Sequence, residues 1–249
     1  KTALREAKKL GITVINGVEI TRGKLGDYNA LFTTDNNAIY DPNLEKTIRN
    51  ARAQGAFIFH NHPQLSKKTA STMPLHCEDL HAKGLIDGFE IANGFVLYDR
   101  LIDYCLKGGY APFANSDAHG LVAARFPNSG KEYYRNMTLI LAKDKTEESI
   151  KEALKAKRTI AYTVNMLIGK EELAPVIAVG KAGFQRLFTA QPVIGAGGIK
   201  IVETGRDKAS DHGAECGSID LVTVYGQTHA AEAQDGQLIA VFVGSVIHR

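Results

Sequence analysis

Apolar and polar positions follow a repeating order along roughly the first 165 residues of the chain. In each repeat a helix ends in a basic residue and a glycine, and a short apolar strand follows, as in AKKLGITVING, ARAQGAFIFHN, HAKGLIDGFEIANG and CLKGGYAPFANSD. The basic residues suit the negative end of the helix dipole, and the glycine provides the left-handed residue that ends a helix. The strands are almost continuously apolar, which indicates burial on both faces and therefore a parallel sheet. This alternation of helices and strands predicts an α/β fold.

The same order continues through three further elements and then changes. Strand 137–143 is followed by a helix for which Thr146 is the predicted N-cap, and strand 159–164 comes next. Further along, helical periodicity fades, and short apolar runs separated by Gly, Asp and Ser indicate strands. We therefore predict an α/β domain over residues 1–172 and a small β-rich region over residues 173–249.

Length and composition place the chain among ordinary globular proteins. Its 249 residues can bury a core without a disulfide or a metal to hold it together. Hydrophobic residues make up 44% and charged residues 23%, which argues against disorder. The net charge of +3 is too small to indicate nucleic-acid binding, and no apolar run is long enough to predict a membrane span. The three cysteines, Cys77, Cys105 and Cys216, show no paired spacing, so no disulfide framework is expected.

Residues that can bind metal ions recur at the predicted ends of the strands. Because the carboxyl ends of strands in α/β folds converge on one crevice, we expect these side chains to lie close together. Imidazole nitrogen and carboxylate oxygen together suit Zn, Mn or Fe. The residues are Glu19, His60 and His62, Glu90 and Asn93, and Asp117 and His119.

Each of these residues also has a purely structural interpretation. Glu19 alone could be a surface carboxylate, and His62 before Pro63 could belong to a turn. Alternation along a strand places His60 and His62 on one face, so at most one of them needs to be a ligand. Asp117 could cap a helix. An Asp-X-His pair at a strand end can also bind one ion, because its two side chains lie on the same face.

The remaining polar candidates are weaker. Glu90 could be an ordinary strand-face residue, and Asn93 could simply start a turn. His76 and His81 lie about one turn apart on a predicted helix, and we expect both to be solvated. Three basic side chains near the predicted rim could steer a phosphate, namely Arg22, Lys24 and Arg125. The histidines of the β-rich region have no predicted role: His212, His229 and His248.

Four short segments, in order and spacing, resemble one known family. GVEIT, FHNHP, GFEIANG and NSDAH are similar to the motifs of the polymerase and histidinol phosphatase (PHP) domain family, and most of all to its small stand-alone bacterial phosphoesterases. The resemblance covers roughly residues 1–172. It implies a distorted (β/α)₇ barrel whose strand ends hold up to three divalent metal ions, usually Zn, Mn or Fe, that hydrolyse phosphoesters through metal-activated water.

The resemblance also assigns roles to individual residues. Glu19 matches the family's metal-bridging glutamate, and His62 matches the histidine that precedes proline. Asp117 and His119 match the final Asp-X-His pair, and with Glu19 they are the residues implied to be catalytic. Asn93 falls where some members place a histidine ligand and others an asparagine. His60 is not implied to be a ligand and would at most support one.

The sequence departs from the family at its start. The family opens with a His-X-His motif on its first strand, whereas this sequence begins in a helix that leads into the third strand. We therefore expect a barrel that is incomplete at its N-terminus, about half of the usual ligands and little activity from this chain alone. Unpaired cysteines favour the cytoplasm, and a removed leader would instead fit the periplasm, so the compartment stays open.

Three functions are consistent with these observations. The first is a metal-dependent phosphoesterase that acts on a small phosphorylated substrate. For this function no membrane partner is expected, and the sequence does not determine the oligomeric state. The second is a catalytically inactive PHP-like binding module, which should bind less than stoichiometric metal. The third rests on PVIGAGGI at 192–199, which is similar to the glycine-rich phosphate loop of flavin-dependent oxidoreductase barrels.

Overall fold

The computed structural model describes residues 5, 7, 9, 11–63, 75–119, 136–163 and 166–173, together with four strands at 191–195, 198–202, 221–224 and 239–243. Strands and helices alternate over much of these ranges, so the mixed α/β class predicted from the pattern is confirmed. Within the same ranges no helix combines the length and the hydropathy that a membrane span requires. Arg125 and the three C-terminal histidines lie outside the described residues.

A first sheet carries the predicted site. The described residues contribute six strands to it: β1 Gly17–Thr21, β2 Asp27–Leu31, β3 Phe57–Asn61, β4 Gly88–Asn93, β5 Val96–Leu97 and β6 Ala111–Asn115. The order is β1-β2-β3-β4-β5, and β6 pairs with the other side of β4. Strands β3, β4 and β6 are parallel to one another, whereas β1 and β2 form an antiparallel hairpin and β2 is antiparallel to β3.

The hairpin corrects the expectation of an all-parallel sheet. The chain turns back on itself at a short 3-10 segment, Gly23–Leu25, and Gly26 follows with a φ of 87° that a side chain would make costly. Glu19 therefore lies in the middle of β1 rather than at the end of a strand. A parallel connection would have needed a crossover of a dozen or more residues, which this segment does not contain.

Helices cover one face of the first sheet. They are α1 Leu44–Ala53, α2 Leu75–Ala82 and α3 Asp99–Lys107. Helix α1 begins at Asn43, whose side-chain oxygen accepts a hydrogen bond from the backbone N–H of Lys46 at 3.0 Å. Its buried residues Leu44, Ile48 and Ala51 pack on the apolar side chains that β2, β3 and β4 present to this face. The core on this side is therefore built from one stripe of each helix.

A second sheet includes the C-terminal strands. Its strands within the described residues are β7 Met137–Ala142, β8 Thr159–Thr163, β9 Met166–Gly169, β10 Gln191–Gly195, β11 Gly198–Val202, β12 Leu221–Val224 and β13 Ile239–Val243. Their order is β10-β11-β9-β8-β7-β13-β12. The division between 1–172 and 173–249 stays a prediction, and these pairings add that strands from both regions hydrogen-bond within one sheet.

The PVIGAGGI segment has a defined place in this second sheet. Pro192 to Gly195 lie in β10, and Gly198 and Ile199 lie in the antiparallel strand β11. Gly195 pairs with Gly198 across the hairpin. An antiparallel hairpin differs from the strand-to-helix loop that presents unbonded N–H groups to a phosphate. The structure therefore gives the oxidoreductase alternative no support.

Helix α4, Glu147–Lys155, and strand β7 pack on the other face of the first sheet. Thr146 caps this helix, because its side-chain oxygen accepts a hydrogen bond from the backbone N–H of Ser149 at 3.2 Å, and this confirms the predicted cap. Phe59 and Phe113 stack on this face with ring centroids 4.2 Å apart. Side chains on this face change from apolar to polar toward the strand ends, as in Phe59 followed by Asn61 on β3. The polar ends of the strands form the candidate site.

Candidate metal centre

Three side chains converge at this edge of the first sheet. Glu19, Asp27 and His62 each offer one ligand atom, and these atoms all lie within 4.8 Å of one another. Strand register explains the convergence, because Glu19 pairs with Asn29 on β2, and Asp27 pairs with Asn61 at the end of β3. Cross-strand partners project from the same face of a sheet. His62 follows Asn61 directly, so the three residues come from three adjacent strands.

Two buried amides orient the Glu19 carboxylate. Asn61 donates a hydrogen bond from Nδ2 to Glu19 Oε1 at 2.8 Å. Asn29 in turn donates from Nδ2 to Asn61 Oδ1, also at 2.8 Å. Asn29 and Asn61 are 7% and 4% exposed. Partners of this kind fix a ligand in one orientation before an ion binds.

The hairpin turn orients Asp27. The backbone N–H of Arg22 donates to Asp27 Oδ1 at 3.1 Å, and Asp27 Oδ2 lies 3.7 Å from His62 Nε2. The guanidinium of Arg22 is engaged elsewhere, since it donates to the Asp41 carbonyl and, at 2.8 Å, to the Thr47 hydroxyl. The Arg22 side chain thus anchors the hairpin to α1, and its predicted role in steering phosphate stays a prediction.

His62 has an unusual backbone conformation. Its φ is 26°, in the positive region that residues other than glycine rarely adopt. Its backbone N–H donates to Glu90 Oε2 at 2.7 Å. Glu90 is 2% exposed, and burial raises its carboxyl pKa, although hydrogen bonds from His62, Asn115 and Asn93 oppose that rise. Positive φ values of this kind persist where the surrounding structure holds them in place, often at functional sites.

Asp117 and His119 form a separate pair beyond the end of β6. His119 Nδ1 lies 3.6 Å from Asp117 Oδ1 and 3.0 Å from the Asp117 carbonyl oxygen. Asp117 also has a positive φ, of 46°. The pair is outside the three-residue group of Glu19, Asp27 and His62. One ligand shell that unites Glu19, His62, Asp117 and His119 stays a prediction.

Asn93 lies beside Glu90 at the end of β4. It ends β4 as predicted, is buried, and donates from Nδ2 to Glu90 Oε2 at 2.9 Å. Nearby, burial raises the pKa of the Tyr98 phenol, and the charges of Glu90 and Asp117 raise it further. The Glu90 and Asp117 carboxylates are therefore both near enough to the Tyr98 phenol to affect its pKa.

Two histidines differ from expectation. His60 does not share a face with His62, because β3 ends at Asn61 and the backbone turns there; its ring stacks on Tyr28 at 4.5 Å, on the helix side of the sheet. Asn61, rather than His60, supports the Glu19 carboxylate. The expectation that His81 is solvated is wrong, since its ring is 5% exposed and stacks on Phe89 with centroids 4.2 Å apart.

Two residues of the site, Asp27 and Asn61, were missed at the level of sequence, and Glu90 was named there without its role in supporting the ligands. Asp27 stands next to Glu19 only because the chain reverses at the hairpin, and the glycines of TRGKLGDY were the available signal for that turn. Asn61 and Glu90 support the ligands through hydrogen bonds that no spacing rule predicts. Two carboxylates and an imidazole suit a divalent metal ion, and three protein ligands with further positions open are typical of catalytic sites.

Comparison with solved structures gives an informative neighbour. The chain is similar to a two-domain protein from Bacteroides vulgatus that contains a predicted PHP-like metal-dependent phosphoesterase. The two sequences are 32% identical, with a TM-score of 0.65. The match covers 77% of this chain and 54% of that chain, so the sequence spans little more than half of the neighbour's length. No protein-family model matches the sequence, and no curated protein matches it.

Proposed function

We propose that the chain is a metal-dependent phosphoesterase of the PHP type that hydrolyses a small phosphorylated substrate. The observation that carries the proposal is the convergence of Glu19, Asp27 and His62 within 4.8 Å of one another. The neighbour from Bacteroides vulgatus, whose name contains a predicted PHP-like metal-dependent phosphoesterase, supports it. The four motifs that resemble the PHP family add independent support, since two of the three converging residues belong to them.

The chain contributes a pre-oriented set of ligands. A divalent ion held there would supply Lewis-acid activation of water and of the phosphoryl group. Asn61 holds the Glu19 carboxylate, and the Arg22 backbone N–H holds that of Asp27, so neither has to reorient when a substrate arrives. Side chains that are fixed in advance stabilise developing charge more effectively than mobile ones.

The finer features of the proposal come from the resemblance. We propose that Asp117 and His119 complete the ligand set and take part in catalysis with Glu19, and that Asn93 is a further metal ligand. The complete site would hold up to three ions of Zn, Mn or Fe. The first sheet would then form part of a distorted (β/α)₇ barrel.

Metal content and turnover test the proposal together. The full chain is stripped with chelator and titrated with Mn²⁺ or Zn²⁺ by calorimetry, and hydrolysis of a generic aryl phosphate is followed with each ion. Asp27→Asn and His62→Gln should each weaken metal binding by about a hundredfold or more, because loss of a residue that merely orients a ligand already costs 10–100-fold. Asp103→Asn is the matched control, since it neutralises an exposed carboxylate that pairs with Lys107 on α3.

The outcomes separate the candidate functions. Weak hydrolysis that metal stimulates, that both site variants lose and that the control retains is the expected result. Metal binding of equal affinity in all three variants would contradict the proposed metal centre. Metal binding without hydrolysis of any phosphate ester would favour the inactive PHP-like binding module.

A further inference from the structure

The buried carboxylate of Glu90 lies next to the candidate metal centre and accepts hydrogen bonds from three segments of the chain. Glu90 accepts hydrogen bonds from the His62 backbone N–H at 2.7 Å and from Asn93 Nδ2 at 2.9 Å, both on Oε2. Its other oxygen, Oε1, accepts from Asn115 Nδ2 at 2.7 Å. The donors belong to three different segments, namely the residue after β3, the end of β4 and the end of β6. Glu90 therefore ties the carboxyl ends of three parallel strands together.

The contact with His62 bears directly on the geometry of the centre. A positive φ at a residue with a side chain is strained and persists only where neighbours hold it. The His62 N–H is directed at Glu90, which fixes the peptide that sets this conformation. The imidazole then lies beside Asp27, with Nε2 3.7 Å from Oδ2. An extended backbone at this position would carry the ring elsewhere, because side chains on a strand alternate between its faces.

The contact with Asn93 depends on an irregularity in β4. Residues 90 and 93 of a regular strand point to opposite faces. The pairing of β4 with β6 shifts register between Glu90 and Ala92, so Ile91 is an extra residue in the ladder. Such a bulge redirects the side chains that follow it. Asn93 is thereby brought to the same side as Glu90 and donates to it.

We propose that Glu90 is a positioning residue that sets His62 for metal binding and locks Asn93 and Asn115 at the rim of the same site. The inference rests on the proposed metal centre. Glu90 itself is not a ligand in this assignment, because three N–H donors already occupy both of its oxygens. Glu90 accepts from all three neighbours, as a carboxylate can, and an alanine at this position would remove all three contacts.

A matched control lies at the opposite end of the same strand. Asp87 precedes β4 and accepts hydrogen bonds on Oδ2 from the Ile58 backbone N–H and from Arg52 Nη1, both at 2.9 Å. Asp87 thus joins β3 to the start of β4 through a backbone N–H, just as Glu90 joins the residue after β3 to β4 through another. Asp87→Ala therefore removes a comparable charge and comparable contacts, and it should cost comparable stability without reaching the metal centre.

Cobalt titration of the full chain tests the proposal. Co²⁺ binding is followed through its visible absorption, which reports the ligands around the ion. Glu90→Ala should weaken Co²⁺ binding about tenfold or more and alter the spectrum, as expected for loss of a group that orients a ligand. Asp87→Ala should stay within about twofold of the parent chain although it also lowers the melting temperature. Equal Co²⁺ affinity for the parent chain and the two variants would overturn the proposal, as would equal losses in both variants.

A second measurement needs no metal. Amide hydrogen exchange by NMR should show His62 N–H protected in the parent chain and in Asp87→Ala, and faster by about tenfold or more in Glu90→Ala. If the parent chain bound no Co²⁺, the proposed metal centre would be wrong, and the exchange comparison would still test whether Glu90 positions His62. Should Glu90→Ala not fold, Asn115→Ala removes one donor and leaves Glu90 in place, with a loss of Co²⁺ affinity of about threefold expected. Unchanged exchange and affinity in that variant would also overturn the proposal.

Discussion

Protonation of His81 should couple the stability of the fold to pH. The ring is buried between α2 and the first sheet, stacked on Phe89 and edge-on to Tyr110 at 5.0 Å. Among the described residues, neither ring nitrogen has a hydrogen-bond partner. Burial lowers the pKa of His81 from 6.5 to about 4, because the charged imidazolium would lose its water without gaining a partner.

The direction of the effect follows from the pH at which the folded and the unfolded chain each bind the proton. The unfolded chain binds it as the pH falls through 6.5, whereas the folded chain binds it only near pH 4. The free energy of unfolding therefore decreases as the pH falls between these two values and is insensitive to His81 above them. With 1.36 kcal/mol for each pH unit between the two pKa values, the loss amounts to about 3 kcal/mol.

The thiol and the phenols around His81 do not titrate in this window. Burial raises the pKa of the Cys77 thiol to about 11 and that of the Tyr104 phenol to about 12. Burial also raises the pKa of Tyr110, which packs on the same ring. His60 is a further titratable neighbour, with its ring centroid 6.4 Å from that of His81. A charged His60 would repel a charged His81 and would only deepen the loss of stability.

Urea unfolding from pH 7 to pH 4, with chelator present, measures the effect. Tyrosine fluorescence and circular dichroism are suitable probes, because the chain contains no tryptophan. His81→Phe should keep the aromatic packing and lose the part of the pH dependence between pH 6.5 and pH 4 that His81 causes. His119→Gln is the control, since that histidine is exposed, and it should retain the dependence. A His81→Phe variant with the same slope as the parent chain, or a His81 pKa near 6.5 measured by NMR, would refute the reasoning.

Three further predictions follow from single contacts. Asn61→Leu should weaken Mn²⁺ binding about tenfold in calorimetry, because it removes the amide that orients Glu19. Gly26→Ala should lower the free energy of unfolding by more than about 1 kcal/mol in urea, since its Cβ would lie 2.7 Å from His60 Nε2 at a φ of 87°. Thr146→Ala should cost about 1 kcal/mol in the same assay through loss of the α4 cap. A variant whose metal affinity or free energy of unfolding equals that of the parent chain would contradict the role of the contact that it tests.

The local signals in the sequence were sufficient to predict where helices of the α/β region begin and end. Thr146 followed by acidic residues marks a helix start, and the structure places the cap there. Gly55 and Gly84 follow helices in the sequence and adopt φ values of 83° and 64°. These features depend on a few neighbouring residues, so short windows of sequence contain the relevant information.

The contacts that assemble the site depend on pairing between distant segments. Asp27 joins Glu19 through a hairpin, and Asn61 reaches Glu19 across β2, so neither contact follows from position along one strand. A strict alternation rule also misplaced His60, because it ignores the point at which β3 ends.

His81 shows the same limitation on a helix. Its spacing from Cys77 and Leu80 fits one buried stripe, which outweighs the usual preference of histidine for water. Residue type alone suggested solvent, whereas position on the helix would have indicated the core.

The order of strands in the second sheet has a consequence for how the protein folds during synthesis. Strand β7 has β8 on one side, close in sequence, and β13 on the other, which emerges from the ribosome only ~100 residues later. Until then the β13-facing edge of an apolar strand is unpaired, and such edges are templates for association with other chains. Closure over this distance is slow compared with the formation of local hairpins. Nascent chains should therefore pass through a stage at which β7 needs a chaperone or rapid synthesis of the C-terminal strands to avoid aggregation.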